Sequence, residues 1–262
     1  MTLHFYKFHG TGNDFILIDN RDSKIKNLYP EQIKYLCHRN FGIGADGLML
    51  LNKHAGFDFE MDYYNSDGSG GAMCGNGGRC IVAFAKKLGI IQENTKFIAS
   101  DGAHEASINE LGEIKLKMID VQEITNKQNN LFIDTGAPHH IEFNDNIEEL
   151  NVYEKGRKIR YSNEYIDKGT NVNFVQVKDK GIEIRTYERG VENETLACGT
   201  GAVASAISYY IKHKPASPNI NVKTLGGDLQ VSFMVNENKY TEVYLAGPAK
   251  FVFEGQIELI DN

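Results

Sequence analysis

Residues 73–78 read MCGNGG and residues 197–202 read ACGTGA, which sets Cys74 against Cys198, 124 residues apart. The spacing recurs along the chain. Thr11-Gly12 in HGTGNDF matches Thr135-Gly136 in DTGAPHH, again at 124, and Gly44-Ala45-Asp46 matches Gly169-Thr170-Asn171 at 125. Gly56 matches Gly181, and Asp101-Gly102 matches Gly226-Gly227, both at 125. With 26 glycines one such match means little, but five in order at nearly one offset mark an internal duplication. The expected organisation is two halves of similar fold, 1–119 joined by the tail 251–262 and then 120–250, with the active site in the cleft between them.

Each half repeats one grammar. Alternating apolar and polar residues at 57–61 (FDFEM) and 182–185 (IEIR) predict half-buried strands. The cysteine-glycine motif follows, and after it a helical stretch. In the first half this runs through Cys80, Ile81, Phe84, Ala85 and Leu88 to Gly89, and in the second from Val203 to Ile211, ahead of Pro215. Both stretches are apolar or small on nearly every face, which is the pattern of a buried helix. The short strands of each half must then wrap around it. The fold class expected is α/β (α+β), in two pseudo-symmetric halves.

Composition sets the outer bounds. The 262 residues, 41% hydrophobic and 24% charged, suffice for a full core without staples. A net charge of −7 without a lysine- or arginine-rich run argues against nucleic acid and against an anionic membrane surface. A small-molecule partner is the better expectation. The first residues, MTLHFYK, have no signal-peptide architecture, and no run of 18 apolar residues occurs, so a cytoplasmic location is expected.

In a reducing compartment the four cysteines, Cys37, Cys74, Cys80 and Cys198, are expected as free thiols. Cys74 and Cys80 are six residues apart, about 240° around a helix, so they diverge and hold neither a shared metal nor a disulfide. Cys37 and Cys80 read as packing. Cys74 and Cys198 each sit where a glycine-rich loop enters a helix, and there the backbone dipole lowers a thiol's pKa. Two such thiols, one from each half, suit a two-base reaction. Gly75-Asn76-Gly77 and Gly199-Thr200-Gly201 leave backbone N–H groups bare at the helix starts, a site for a carboxylate. GIGADG (42–47) and GTGAVA (199–204) fit dinucleotide fingerprints by letter only. The first stands between a helix and a strand, the reverse of the dinucleotide order, and the second has no strand immediately before it.

Taken together, HGTGNDFILID (9–19), FGIGADGLMLL (41–51), YNSDGSGGAMCGNGGRC (64–80), GTNVNFVQV (169–177) and YERGVENETLACGTGA (187–202) resemble the diaminopimelate epimerases over nearly the whole chain. The resemblance implies that each half is a β-barrel-like sheet wrapped around its central helix. It also implies a homodimeric isomerase of lysine and peptidoglycan precursor synthesis that uses no cofactor and no metal and interconverts LL- and meso-diaminopimelate. Cys74 matches the proton donor and Cys198 the acceptor, and His139 and Glu188 match residues that help set thiol protonation. Asn13, Asn65 and Asn171 match ligands of the substrate's distal end, Glu188 would meet the distal ammonium, and Arg189 the distal carboxylate. Gly75, Asn76, Gly199 and Thr200 match donors to the reacting carboxylate. His140 reads as structural. Ala137 and Gly47 depart from residues common in the family, which bears on distal recognition and not on the thiols. Three alternatives stand beside this reading: a proline or hydroxyproline racemase-type epimerase, a phenazine-type isomerase in which a carboxylate replaces the first cysteine, and a non-catalytic small-acid-binding protein.

Overall fold

The computed structural model describes residues 1–71, 73–127, 130–237 and 239–259. The chain divides into two compact units, Met1–Leu116 with Pro248–Asn262, and Lys117–Gly247. Of the tail, residues 260–262 lie outside the described residues.

The first unit begins with β1 (Thr2–Gly10), β2 (Asn13–Asp19), α1 (Pro30–Cys37), β3 (Gly47–Asn52) and β4 (Phe59–Asn65). It continues through α2 (Gly75–Lys87), β5 (Asn94–Ala99), β6 (Gly102–Ile108) and β7 (Glu113–Lys117). The second contains β8 (Ile124–Lys127), β9 (Asn130–Asp134), β10 (Pro138–Phe143), α3 (Val152–Arg160), β11 (Asn171–Lys178) and β12 (Gly181–Glu188). Then come β13 (Asn193–Thr195), α4 (Gly199–His213), β14 (Asn219–Thr224), β15 (Gly227–Asn236) and β16 (Lys239–Pro248), and the chain returns to the first unit as β17 (Lys250–Glu258).

Strand pairing repeats between the units. In the first, β1–β2 is antiparallel, β2–β3 parallel, β3–β4 antiparallel, β4–β5 parallel, and β5–β6 and β6–β7 antiparallel. In the second, β9–β10, β10–β11, β11–β12, β12–β14, β14–β15 and β15–β16 follow the same sequence of senses. β17 pairs with β1 as β8 pairs with β9. Backbone conformation repeats as well: Gly12 and Gly136 turn at φ 90° and 93°.

 Both glycines occupy the left-handed region, which a side chain disfavours, and this fixes them as turn points in each unit.

The two helices of each unit take opposite faces of its sheet. In the first unit Ile16, Ile18, Leu48 and Leu50 pack with Ile33 and Leu36 of α1, while the alternate residues Phe15 and Met49 lie against Gly77 of α2. β2 and β3 are therefore covered on both sides and read as continuous apolar runs rather than alternating ones. α2 packs on β1, β2, β3, β6 and β17, and α4 on β9, β10, β11, β12, β14 and β15, so each is the central helix of its unit. The paired α/β architecture expected from the duplication is present. No helix among the described residues is long and apolar enough to cross a membrane.

Two local expectations change. The first-half strand begins at Phe59 rather than residue 57, because the Asp58 carboxylate accepts from Lys96 N at 2.8 Å and from Thr95 Oγ1 at 2.9 Å, turning the chain there. GTGAVA is preceded by a strand after all: β13 ends three residues before Cys198. It is only three residues long and pairs antiparallel with β12, so it does not supply the parallel strand of a dinucleotide fold.

In the second unit α3 packs through Val152 on Val172, Phe174 and Tyr187. A Cβ at Gly156 would lie 2.4 Å from Tyr187 Cβ and 2.6 Å from its Cγ. Gly156→Ala is therefore expected to destabilise the protein by about 1–3 kcal/mol through overpacking. Urea unfolding midpoints of the two proteins check this, and an unchanged midpoint would contradict the packing described.

Candidate active site

Cys74 is the N-cap of α2. Its backbone is extended, at φ −104° and ψ 152°, and its Sγ accepts from the Gly77 amide at 3.2 Å. Ser, Thr, Asp or Asn usually fills this position, with an oxygen as acceptor. A hydrogen bond to the charged form of a group favours that form, so the cap favours the thiolate. The first helical bond runs from Gly78 N to Cys74 O at 2.7 Å, and the amides of Gly75 and Asn76 precede it. They point out of the positive end of the helix, where an anion is stabilised. The close fit of Gly77 holds this end in place: a Cβ there would lie 2.5 Å from Met49 Cε and 3.1 Å from Cys74 Sγ.

Asn13 lies in the same unit. Its side-chain nitrogen donates to the Asp46 carboxylate, and its oxygen accepts from Asn76 Nδ2 at 3.4 Å. Asp46 shares Arg39 with Asp14, which also pairs with the buried Lys7 at 2.8 Å. Burial raises the Asp14 pKa, but hydrogen bonds and charge from Arg39 and Lys7 outweigh it and hold it at about 2. Asn65 ends β4 and donates from Nδ2 to Ser69 Oγ at 3.1 Å.

In the second unit Cys198 is the N-cap of α4, 7% exposed, with Sγ 3.5 Å from Thr200 Oγ1. The amides of Gly199 and Thr200 precede the first helical bond, Ala202 N to Cys198 O at 2.9 Å. Thr135 Oγ1 donates to Thr200 O at 3.0 Å, much as Thr11 Oγ1 reaches Asn76 Oδ1 at 3.4 Å in the first unit.

His139 is fully buried beneath this helix, and its neighbours determine its state. Asn173 Nδ2 lies 3.2 Å from His140 O, a carbonyl that can only accept, so this end of the amide is the donor. The same nitrogen then donates to His139 Nδ1 at 3.0 Å, while Thr186 Oγ1 donates to Asn173 Oδ1 at 3.0 Å. With Nδ1 an acceptor, the neutral ring carries its proton on Nε2, which donates to Thr200 Oγ1 at 3.0 Å. The Thr200 hydroxyl proton is thereby left to turn toward Cys198 Sγ. His139 is thus linked to this sulfur through the Thr200 hydroxyl.

Burial, with the Arg189 charge adding to it, lowers the His139 pKa to about 3 from an ordinary 6.5. Between these values the unfolded chain binds a proton that the folded chain does not, so stability rises with pH across pH 3–6.5 and is lost as pH falls. From pH 7 to pH 5 the group should remove about 2 kcal/mol of stability. Urea midpoints at the two pH values check this, and His139→Gln should flatten the difference. An equal loss in that variant would contradict the assignment.

Glu188 ends β12, and its Oε2 accepts from Thr195 Oγ1 at 2.8 Å. Arg189 is exposed and donates from its guanidinium to Lys168 O at 2.9 Å. Asn171 holds the turn in place: Oδ1 accepts from Arg189 N at 2.8 Å, and Nδ2 donates to Pro138 O at 3.1 Å. His140 is buried, with Nδ1 2.9 Å from Tyr165 OH. Cys37 and Cys80 are also buried, and burial pushes the Cys37 thiol up to about 12 and the Cys80 thiol higher still, so neither is a nucleophile at neutral pH. Among the described residues no group of three His, Cys, Asp or Glu side chains could hold a metal ion.

The sequence reading passed over two residues that the structure places beside the thiol-bearing helix starts, Arg79 and Asn173. Arg79 had a signal, as the one charge ahead of the last turn of an otherwise apolar helix, whereas Asn173 stood unremarked inside GTNVNFVQV, two residues from Asn171.

The fold defines a class first. It is shared with a phenazine biosynthesis protein of the PhzF family from Bacillus anthracis, at a TM-score of 0.78 and 14% identity over 99% of this chain and 100% of that one. A hydroxyproline epimerase from Agrobacterium vitis, solved with bound trans-4-OH-L-proline, has the same fold at a TM-score of 0.71 and 12% identity, covering 99% and 93% of the two chains. Sequence narrows the class. The model of the diaminopimelate epimerase family matches residues 5–123 and 131–252. The diaminopimelate epimerase of Flavobacterium psychrophilum is 52% identical over 97% of this chain and 100% of its own, and that of Aquifex aeolicus 39% identical over 97% and 98%. The chain belongs to the diaminopimelate epimerase family.

Proposed function

We propose that the protein interconverts LL- and meso-diaminopimelate by moving the α-proton between two thiols, without a cofactor. The observation that carries this reading is the family match along both units, with each unit's matching cysteine at the N-cap of its buried helix. An α-proton is weakly acidic, and inverting the carbon requires a base on one face and an acid on the other. Cys74 serves as donor and Cys198 as acceptor, and the roles exchange with direction. The reacting carboxylate takes hydrogen bonds from the amides of Gly75, Asn76, Gly199 and Thr200, which stabilise the charge that grows on it as the proton leaves. His139 supports Cys198 through Thr200. Glu188 receives the distal ammonium, and Arg189 the distal carboxylate through paired hydrogen bonds that a lysine would not reproduce. Asn13, Asn65 and Asn171 shape the same distal end. The working form is a homodimer in the cytoplasm.

The test is an assay of purified, reduced protein with LL-diaminopimelate and L-proline side by side. Turnover of the first alone is expected. Turnover of proline but not of diaminopimelate would overturn the assignment, and turnover of neither would favour a binding protein.

A further inference from the structure

The surroundings of the two helix starts differ at matching positions. A Cβ on Gly77 of α2 would meet Met49 and Phe15, whereas one on Gly201 of α4 would meet Asn173 and His139. Two residues beyond these glycines, α2 carries Arg79 and α4 carries Val203. Arg79 is 0% exposed. Its guanidinium donates to Gly75 O and Asn76 Oδ1, both at 3.0 Å, to Thr11 Oγ1 at 3.1 Å and to Pro248 O at 3.4 Å. Every acceptor is neutral. No carboxylate of the described residues forms an ion pair with it. A buried charge without an opposite charge is strongly destabilising, so its retention calls for an anion that the resting side chains do not supply.

We propose that Arg79 is a positioning residue whose buried charge stabilises the thiolate of Cys74, the anion that forms each time this thiol gives up its proton. The inference rests on the two-thiol reading and deepens it. Cys198 is served by a neutral array, Asn173, His139 and Thr200, whereas Cys74 is served by a full charge. Burial lowers the Arg79 pKa to about 10, with the Cys80 and Cys74 thiols pulling it back up, so the guanidinium remains charged at neutral pH. A thiol with a stabilised conjugate base is the better acid, which fits Cys74 as the donor.

Other charges around α2 are already matched or lie in solvent. On its own helix, Cys80 is held neutral by burial, and Lys86 and Lys87 lie in the last turn, away from Cys74. From β1 and β2, Lys7 and Asp14 are paired with each other; His4 is exposed, and His9 Nδ1 accepts from Gly12 N. Tyr6 of β1 has its pKa raised by burial and stays neutral, and Asp19 of β2 is paired with Arg21. β3 carries no titratable side chain. On β6, His104 is paired with Asp101 and Glu105 with Lys96, and on β17 Lys250, Glu254 and Glu258 are exposed.

The test uses the full-length, reduced protein carrying Cys198→Ser, with carboxamidomethylation of Cys74 by iodoacetamide followed by mass spectrometry across pH. The alkylation midpoint is expected below the free-thiol value of about 8.5. Arg79→Met should raise it by about one pH unit or more, a tenfold loss of thiolate at a given pH below the midpoint, and Arg79→Lys should recover at least half of that shift. An unchanged midpoint in Arg79→Met, or equal shifts in the two variants, would overturn the proposal. Should Arg79→Met fail to fold, a midpoint at or above 8.5 in the parent protein overturns it and a lower midpoint that Arg79→Lys keeps supports it. A wild-type protein that turns over diaminopimelate while these shifts are absent removes only the role of Arg79; one that turns over neither substrate removes the two-thiol reading itself.

Discussion

Replacing Cys198 by serine is expected to slow exchange of the substrate α-proton with solvent deuterium by about a thousandfold, within the range that a positioned acid–base group contributes. Cys74→Ser should do the same. Serine preserves the shape of an N-cap, and at residue 74 its oxygen can accept from the Gly77 amide as Sγ does. The fold therefore should survive both changes. What is lost is acidity: an alcohol holds its proton far more tightly than a thiol, so it offers little base at neutral pH. Proton NMR of the substrate in deuterated buffer measures the loss, and near-normal exchange in both variants would sink the two-thiol mechanism.

The second large effect is expected from Gly201→Ala. A Cβ at this position would lie 2.4 Å from Asn173 Oδ1 and 3.3 Å from both Cys198 Cβ and His139 Cε1. Asn173 has little room to retreat, because its oxygen is held by Thr186 and its nitrogen by His139 and His140. The methyl group must displace the neutral array or the helix start that bears the thiol. Overpacking should cost about 1–3 kcal/mol of stability. A displacement on the order of 1 Å at the reacting group should slow exchange by about a hundredfold. Gly77→Ala is the milder counterpart in stability, since its closest contact is the flexible end of Met49. Exchange rates and urea midpoints measured on both variants check the contrast. Wild-type exchange in Gly201→Ala would contradict the geometry around Asn173.

Much of the fold was legible because the duplication is written in residues that backbone geometry constrains. Gly12 and Gly136 mark the same left-handed turn, and Cys74 and Cys198 the same cap. Helices apolar all round announced their burial. The burial of β2 and β3 on both faces was harder to read, since it depends on α1 and α2 covering opposite sides.

The polar interior was the least legible part. The partners of Arg79 include Thr11, 68 residues away, and Pro248, 169 residues away, so no local pattern predicts where its charge is received. The proton position on His139 is set by Asn173, 34 residues later in the chain, and the orientation of Asn173 by Thr186 and a backbone carbonyl. The resemblance matched His139 to a residue that helps set thiol protonation, but only these contacts show a neutral ring linked to Cys198 through Thr200. The pseudo-symmetry then becomes informative where it fails. Phe15, Met49 and Arg79 on one side stand against His139, Asn173 and Val203 on the other, so two thiols in matching positions have unlike surroundings.

The central claim is that two separate thiols, one from each unit, take and return the proton. Its most direct measurement is the early time course of LL-diaminopimelate with the reduced wild-type protein in deuterated water, with deuterium followed separately in substrate and product. Two thiols predict that deuterium enters the newly formed meso isomer while the remaining LL isomer keeps its α-protons. Equal early labelling of both isomers would show one base serving both faces and would contradict the account.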